Sequence, residues 1–161
     1  MRPARERRVG VLGLGTLAQA VLAKLVAFDF DCAGWSRSRH ELGGVRCYAG
    51  NDELDRLLAR SDVLVCLLPL TDATRGVLNA ALFAKLPHGA SLVHVGRGAQ
   101  LVASDLLQAL DGGHLAEAVL DVTDPEPLPP DHALWSPSEG AYHAAHREHD
   151  AAPDGGSRCN R

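Results

Sequence analysis

At 161 residues, 46% of them apolar and 22% charged, the chain is long enough for one domain with a sizeable core and too apolar for a disordered segment. A formal net charge of −4 argues against a nucleic-acid partner or an anionic membrane surface. No apolar run approaches the ~18 residues of a membrane span. The opening arginines (Arg2, Arg5, Arg7, Arg8) lead into no signal-peptide core, so residues 1–7 read as a solvated lead-in. Cys32, Cys47, Cys66 and Cys159 show no C-x-x-C spacing; Cys32 and Cys66 fall in expected strands and read as buried thiols of a reducing, cytoplasmic compartment.

Val9 to Leu12 is an apolar run short enough for a buried strand. It breaks into Gly13-Leu14-Gly15-Thr16-Leu17-Ala18, after which Leu17, Val21 and Leu25 recur at the spacing of a helix face. Strand, glycine turn, helix is the setting in which G-x-G-x-x-G/A signals dinucleotide binding, although an ordinary strand–turn–helix unit can carry the same residues. Gly13 permits the tight turn, Gly15 lets a pyrophosphate approach the backbone, and Ala18 lets the helix lie close on the strand. Free N–H groups at the helix start carry roughly half a positive charge and suit an anion.

Phe28 to Trp35 reads as the second strand and runs into Ser36-Arg37-Ser38-Arg39. A site for NAD offers an Asp or Glu at this point to the ribose 2′-OH. Two hydroxyls and two arginines stand here instead, and a guanidinium matches a phosphate by bidentate hydrogen bonding. The expected cofactor is therefore NADP(H), with NAD(H) the alternative. Its expected contacts are Gly13, Leu14, Gly15, Thr16, Leu17 and Ala18 from the turn, with Trp35, Ser36, Arg37 and Ser38 from the strand end.

Asn51 or Asp52 is expected to cap a helix through Arg60 with Leu54, Leu57 and Leu58 inward. Val63 to Leu68 is a continuous apolar run, as in a parallel strand covered on both faces, and Pro69 stops it. Thr74 to Leu86 holds one or two helical turns, and Ala90 to Val95 a further strand. Ser104 is expected to cap a helix carrying Leu106, Leu107 and Leu110, closed by Gly112-Gly113, before a further strand from Leu115 to Val122. The alternation predicts an α/β, Rossmann-type, doubly wound parallel sheet in one domain over residues 8–135, six strands in order 3-2-1-4-5-6.

Three later stretches add specificity: Leu67-Leu68-Pro69-Leu70-Thr71 with Thr74-Arg75-Gly76; Val93-His94-Val95-Gly96-Arg97-Gly98; and Leu120-Asp121-Val122 followed by Pro125-Glu126-Pro127-Leu128-Pro129. With the glycine turn, in this order and spacing, they resemble the nucleotide-binding domain of the D-isomer-specific 2-hydroxyacid dehydrogenases, closest to the glyoxylate/hydroxypyruvate reductase branch. The resemblance implies reduction of a small 2-oxo acid to its 2-hydroxy acid by hydride transfer. Arg97 matches the arginine that clamps the substrate's carboxylate and carbonyl, and Glu126 the acid that pairs with a catalytic histidine and raises its pKa. Asp121 matches a position near the nicotinamide. Leu68, Pro69 and Thr74 match the adenosine and ribose side, and Leu70, Val95 and Gly96 join the cofactor set. His94 stands where the family often has Asn, and Thr123 where it usually has Phe.

The family also carries a substrate-binding domain and a strand ending in Thr-Pro-His, whose histidine is the general acid/base. Neither is matched here, so the chain is expected to be inactive alone: an enzyme fragment needing a partner chain, or a non-catalytic nucleotide-binding remnant. From Pro137 to Arg161 no apolar period is present, which reads as an irregular tail over residues 136–161. The degenerate codons of Tyr142-His143-Ala144-Ala145-His146-Arg147-Glu148, read one base later, permit Ile-Thr-Pro-His-Ile-Ala. The tail is therefore expected to be a shifted reading frame. Loss of the terminal strand would leave Leu115 to Val122 as an apolar edge, and self-association or a homodimer would follow. His143, His146 and His149 recur every third residue, a spacing that drifts around a helix, so no metal site is expected.

Overall fold

The computed structural model describes residues 3–135 and the strand at 142–144. Its centre is a parallel sheet of seven strands in the order β3-β2-β1-β4-β5-β6-β7. In chain order these are β1 (Arg8–Leu12), β2 (Asp31–Ser36), β3 (Val45–Ala49), β4 (Val63–Cys66), β5 (Ala90–His94), β6 (Leu115–Leu120) and β7 (Tyr142–Ala144). Helices α1 (Thr16–Ala27), α2 (Gly50–Arg60), α3 (Ala80–Phe83) and α4 (Ala103–Asp111) connect them. The doubly wound order expected for six strands is present, with a seventh beyond it.

Alternation along the strands divides the core into two layers. Val9, Val11 and Val65 face Ala18 and Leu22 of α1. Leu12, Leu64 and Cys66 point the other way, with Leu57 and Leu58 of α2, Leu82 and Phe83 of α3, and Leu106 and Leu110 of α4. Helices on both faces explain why the central strands are apolar without a polar side. Cys32 and Cys66 are buried thiols, as expected. Burial pushes the Cys66 thiol up to about 11.

Several boundaries differ from the sequence expectations, each for a local reason. Phe28–Phe30 is not strand: Phe28 caps α1 at 69% exposure and Asp29 turns the chain at φ 62°, so β2 starts at Asp31. Leu17 is not on the buried face of α1; it is 63% exposed at the helix start, and Ala18 and Leu22 are the buried positions. β3 has no expected counterpart. Neither Asn51 nor Asp52 caps α2, which starts at Gly50; the Glu53 carboxylate accepts the Ala49 N–H at 2.7 Å. That bond holds the Glu53 carboxyl below its usual range. The N-cap of α4 is Val102 rather than Ser104, while Gly113 at φ 69° ends it as expected. Strands β4, β5 and β6 stop at Cys66, His94 and Leu120, short of Leu68, Val95 and Val122.

The expected apolar edge is also altered. Tyr142–Ala144 runs parallel to Ala118–Leu120, so β6 has a neighbour within a stretch that the apolar pattern leaves without an element. Residues 136–141 and 145–161, including His146 and His149 and the rest of the proposed shifted frame, lie outside the described residues. Among the described residues, no helix is long and apolar enough to cross a membrane.

Candidate functional site

β1 lies between β2 and β4, and the connections from β1 and β4 leave toward opposite ends of the sheet. Such a reversal opens a crevice at the carboxyl ends of the strands. A cleft of about 930 Å³ occupies this place, lined by the turn after β1, the end of β2, the loop after β4 and the turn after β5.

The turn after β1 forms its floor. The Gly13 N–H donates to the Trp35 carbonyl at 2.8 Å, and its φ of 96° is one that only glycine adopts without strain. A Cβ there would also stand 3.0 Å from the Leu67 carbonyl oxygen. Gly15 differs: a Cβ added to it would meet nothing within 4 Å. Gly15 is the N-cap of α1, no side chain caps the helix, and its first turn carries no acidic residue. The α1 N-terminus therefore presents uncompensated N–H groups beside open space, a fit for an anionic group lying against the backbone.

At one end of the cleft stand Trp35, Ser36, Arg37, Ser38 and His40. The buried Trp35 indole donates to the Gly50 carbonyl at 2.7 Å, tying β2 to the start of α2. Ser36 Oγ donates to the Ser38 carbonyl at 2.6 Å and lies 3.0 Å from His40 Nδ1. Arg37 is exposed and has no ion-pair partner among the described residues, whereas Arg39 reaches Glu53 at 3.2 Å.

The opposite wall is the loop from Leu67 to Thr74. Thr74 Oγ1 accepts the Thr71 N–H at 2.8 Å and donates to the Pro69 carbonyl at 2.7 Å, closing the loop on itself. Leu68, Pro69, Leu70 and Thr74 all face the cleft, as do Val95, Gly96 and Arg97. The exposed Arg97 side chain donates from Nη1 to the Gly96 carbonyl at 2.9 Å.

One cleft thus gathers Gly13, Leu14, Gly15, Thr16, Leu17, Ala18, Trp35, Ser36, Arg37, Ser38, Leu68, Pro69, Leu70, Thr74, Val95, Gly96 and Arg97. Asp121 and Glu126 are not among its lining residues, and Glu126 is exposed. Both follow β6, which lies two strands beyond β4, away from the crevice beside β1. The sequence reading missed His40, Asn51, Leu54 and Thr71, which also line the cleft. Thr71 carried a signal, as a hydroxyl three residues before Thr74. His40, Asn51 and Leu54 carried none, because the β2–β3 connection and the α2 start have no fixed pattern.

A parallel sheet with a glycine turn, an uncapped helix and this crevice defines a dinucleotide-binding domain. Comparison with known proteins narrows the class. Residues 1–146 match the family D-isomer specific 2-hydroxyacid dehydrogenase, NAD binding domain, and the chain belongs to that family. It is 47% identical over 127 residues to glyoxylate/hydroxypyruvate reductase A of Serratia proteamaculans, covering 79% of this chain and 41% of that protein. The solved D-isomer specific 2-hydroxyacid dehydrogenase of Xanthobacter autotrophicus, in complex with NADPH and MES, superposes with a TM-score of 0.84 at 45% identity, over 88% of this chain and 45% of that one. The NADPH-dependent glyoxylate/hydroxypyruvate reductase of Sinorhizobium meliloti, with NADP and sulfate, gives 0.83 at 41% identity, over 88% and 46%. The chain thus spans less than half the length of each of these relatives.

Proposed function

We propose that the chain is the NADP(H)-binding half of a reductase of small 2-oxo acids, of the glyoxylate/hydroxypyruvate type. The observation that carries this reading is one cleft with two arginines that have no ion-pair partner among the described residues, Arg37 after β2 and Arg97 after β5, and the open Gly15 turn between them. The two strands are three positions apart in the sheet, about 14 Å at the usual spacing. A dinucleotide would put its adenosine phosphate at the first arginine and its nicotinamide toward the second.

The nicotinamide supplies the hydride; the residues of this chain bind, orient and screen. Gly15 and the first N–H groups of α1 would hold the pyrophosphate, Arg37 with Ser36 and Ser38 the 2′-phosphate, and Leu68, Pro69 and Thr74 the adenosine side. NADP(H) is favoured because, among the described residues, no carboxylate lines the cleft to accept a 2′-OH. Arg97 would anchor the oxo acid's carboxylate and polarise its carbonyl. Asp121 and Glu126 would act from the β6 side once a histidine is supplied beside them. With Arg97 exposed to solvent, its field is weakened. These 161 residues alone are therefore expected to bind cofactor and to turn over at a negligible rate, since loss of a general acid alone costs ~10²–10⁴. A cytoplasmic setting, with reduced thiols and abundant NADPH, suits the free Cys32 and Cys66. We further propose that residues 136–161 derive from a shifted reading frame, which the gene sequence across that stretch decides, and that the chain self-associates through the nucleotide domain.

Titration of the purified chain with NADPH and NADH, followed by calorimetry, tests the reading. NADPH is expected to bind at least about tenfold more tightly, the value of one charge-assisted phosphate contact. Equal affinities, or none, would refute the NADP(H) reading. NADPH oxidation with glyoxylate by the 161-residue chain would refute the expected inactivity.

A further inference from the structure

Arg97 is held by two buried side chains that the nucleotide reading leaves unused. Gln100 is 0% exposed and accepts the Arg97 N–H on Oε1 at 2.8 Å. Its Nε2 donates to the carbonyls of Leu68 at 3.0 Å and Pro69 at 3.1 Å, with Thr74 Oγ1 at 3.4 Å. One amide therefore spans from the arginine turn to the opposite wall of the cleft. His94, also 0% exposed, meets the Arg97 carbonyl with Nε2 at 2.9 Å. Since a carbonyl only accepts, that nitrogen carries the proton, and His94 Nδ1 is left buried without a partner among the described residues. Gly96 makes room for both: a Cβ there would overlap Gln100 Oε1 and stand 3.1 Å from His94 Cε1.

Fully buried polar side chains are costly unless each bond is made, so a site that keeps two of them around a single exposed arginine commits that backbone to one position. We propose that Gln100 is a positioning residue that fixes Arg97 against the Leu68–Pro69 wall for the carboxylate and adjacent carbonyl of a small 2-oxo acid, with His94 as the second anchor. The inference rests on the oxo-acid role assigned above to Arg97. Gln100 touches neither ligand. It acts by holding the arginine's main chain, so its removal changes anion binding more than nucleotide binding.

Oxalate, a small planar dianion, is the probe, titrated into the 161-residue chain with and without NADPH and followed by NMR at the Arg97 resonances. In the parent chain oxalate is expected to shift these resonances saturably. Gln100→Met, which roughly keeps the volume and removes every side-chain hydrogen bond, is expected to weaken oxalate by at least about tenfold and NADPH by less than about threefold. Gln100→Glu is a near-isostere while protonated and a misplaced buried charge when ionised. It is expected to restore oxalate binding toward low pH and lose it as pH rises, a profile that loss of packing would not produce. Equal weakening of oxalate and NADPH in Gln100→Met, or no oxalate response at Arg97 in the parent chain, overturns the proposal. Failure of NADPH alone to bind overturns the nucleotide reading instead, because the oxalate titration without NADPH is read separately.

Discussion

Gly98 passes so close to Thr123 that a methyl group at position 98 would overlap the Thr123 carbonyl oxygen and carbon. Both partners are backbone, so neither can swing aside. The contact joins the turn that carries Arg97 to the loop after β6 that carries Asp121 and Glu126. Gly98→Ala is expected to destabilise the fold by ~1–3 kcal/mol, as overpacking does, with the urea midpoint lowered and the slope unchanged. An unshifted midpoint would mean that the loop after β6 is free to move away.

The opposite outcome is expected at Gly15. Its φ of −69° suits any residue and a Cβ there meets nothing within 4 Å, so Gly15→Ala costs the fold little. Helix N-caps tolerate glycine better than alanine, which limits the loss to ~1 kcal/mol. The methyl group would occupy the space in front of the α1 N-terminus. NADPH affinity is expected to fall by about tenfold or more while the thermal midpoint moves by a few degrees. Unchanged NADPH affinity would place the pyrophosphate elsewhere.

Arg37 and Arg39 are two residues apart and differ in what holds them. Arg39 is paired with Glu53 and Arg37 has no ion-pair partner among the described residues. Arg37→Ala is expected to weaken NADPH by about tenfold to a hundredfold and to leave NADH within about twofold, since each charge-assisted bond to phosphate is worth ~1.5–3 kcal/mol. Arg39→Ala is expected to have the smaller effect. Equal losses for both cofactors would show that Arg37 contacts the dinucleotide away from its 2′-phosphate.

The parts of the fold legible in the sequence were those whose residues answer to one constraint. Val9–Leu12 followed by Gly13 and Gly15 had to be a buried strand ending in a tight turn, and the cleft is built on it. β3 was illegible because it packs on the sheet only from one neighbour: Arg46 is exposed and Val45, Cys47 and Tyr48 are half-buried, so no apolar run marks it. Leu17 misled because its spacing to Val21 matches a helix face, while the first turn of α1 opens on the cleft. Asn51 and Asp52 were plausible caps by residue type, yet the positive φ of Gly50 (71°) starts the helix earlier. The clamp on Arg97 left no trace at all. His94 ends an expected strand and Gln100 follows the turn after it, and Gln100 is bonded to the loop after β4, about thirty residues away.

His94 makes stability depend on pH, and the sign follows from its surroundings. Burial disfavours the imidazolium and lowers its pKa from the ordinary 6.5, with the bond to the Arg97 carbonyl opposing in part. As the native state releases this proton more readily than the unfolded chain, unfolding takes up protons below the ordinary value. The contribution of neutral His94 is therefore complete above pH 6.5 and declines as pH falls through and below it. Urea denaturation at about pH 7.5 and about pH 5.5 is expected to show a loss of stability on acidification. His94→Gln brings an amide N–H to about the place of Nε2, able to donate to the Arg97 carbonyl, and has nothing to titrate, so its loss over the same interval is expected to be smaller. An identical loss in both proteins would assign the pH dependence to other groups and leave the buried Nδ1 without energetic consequence.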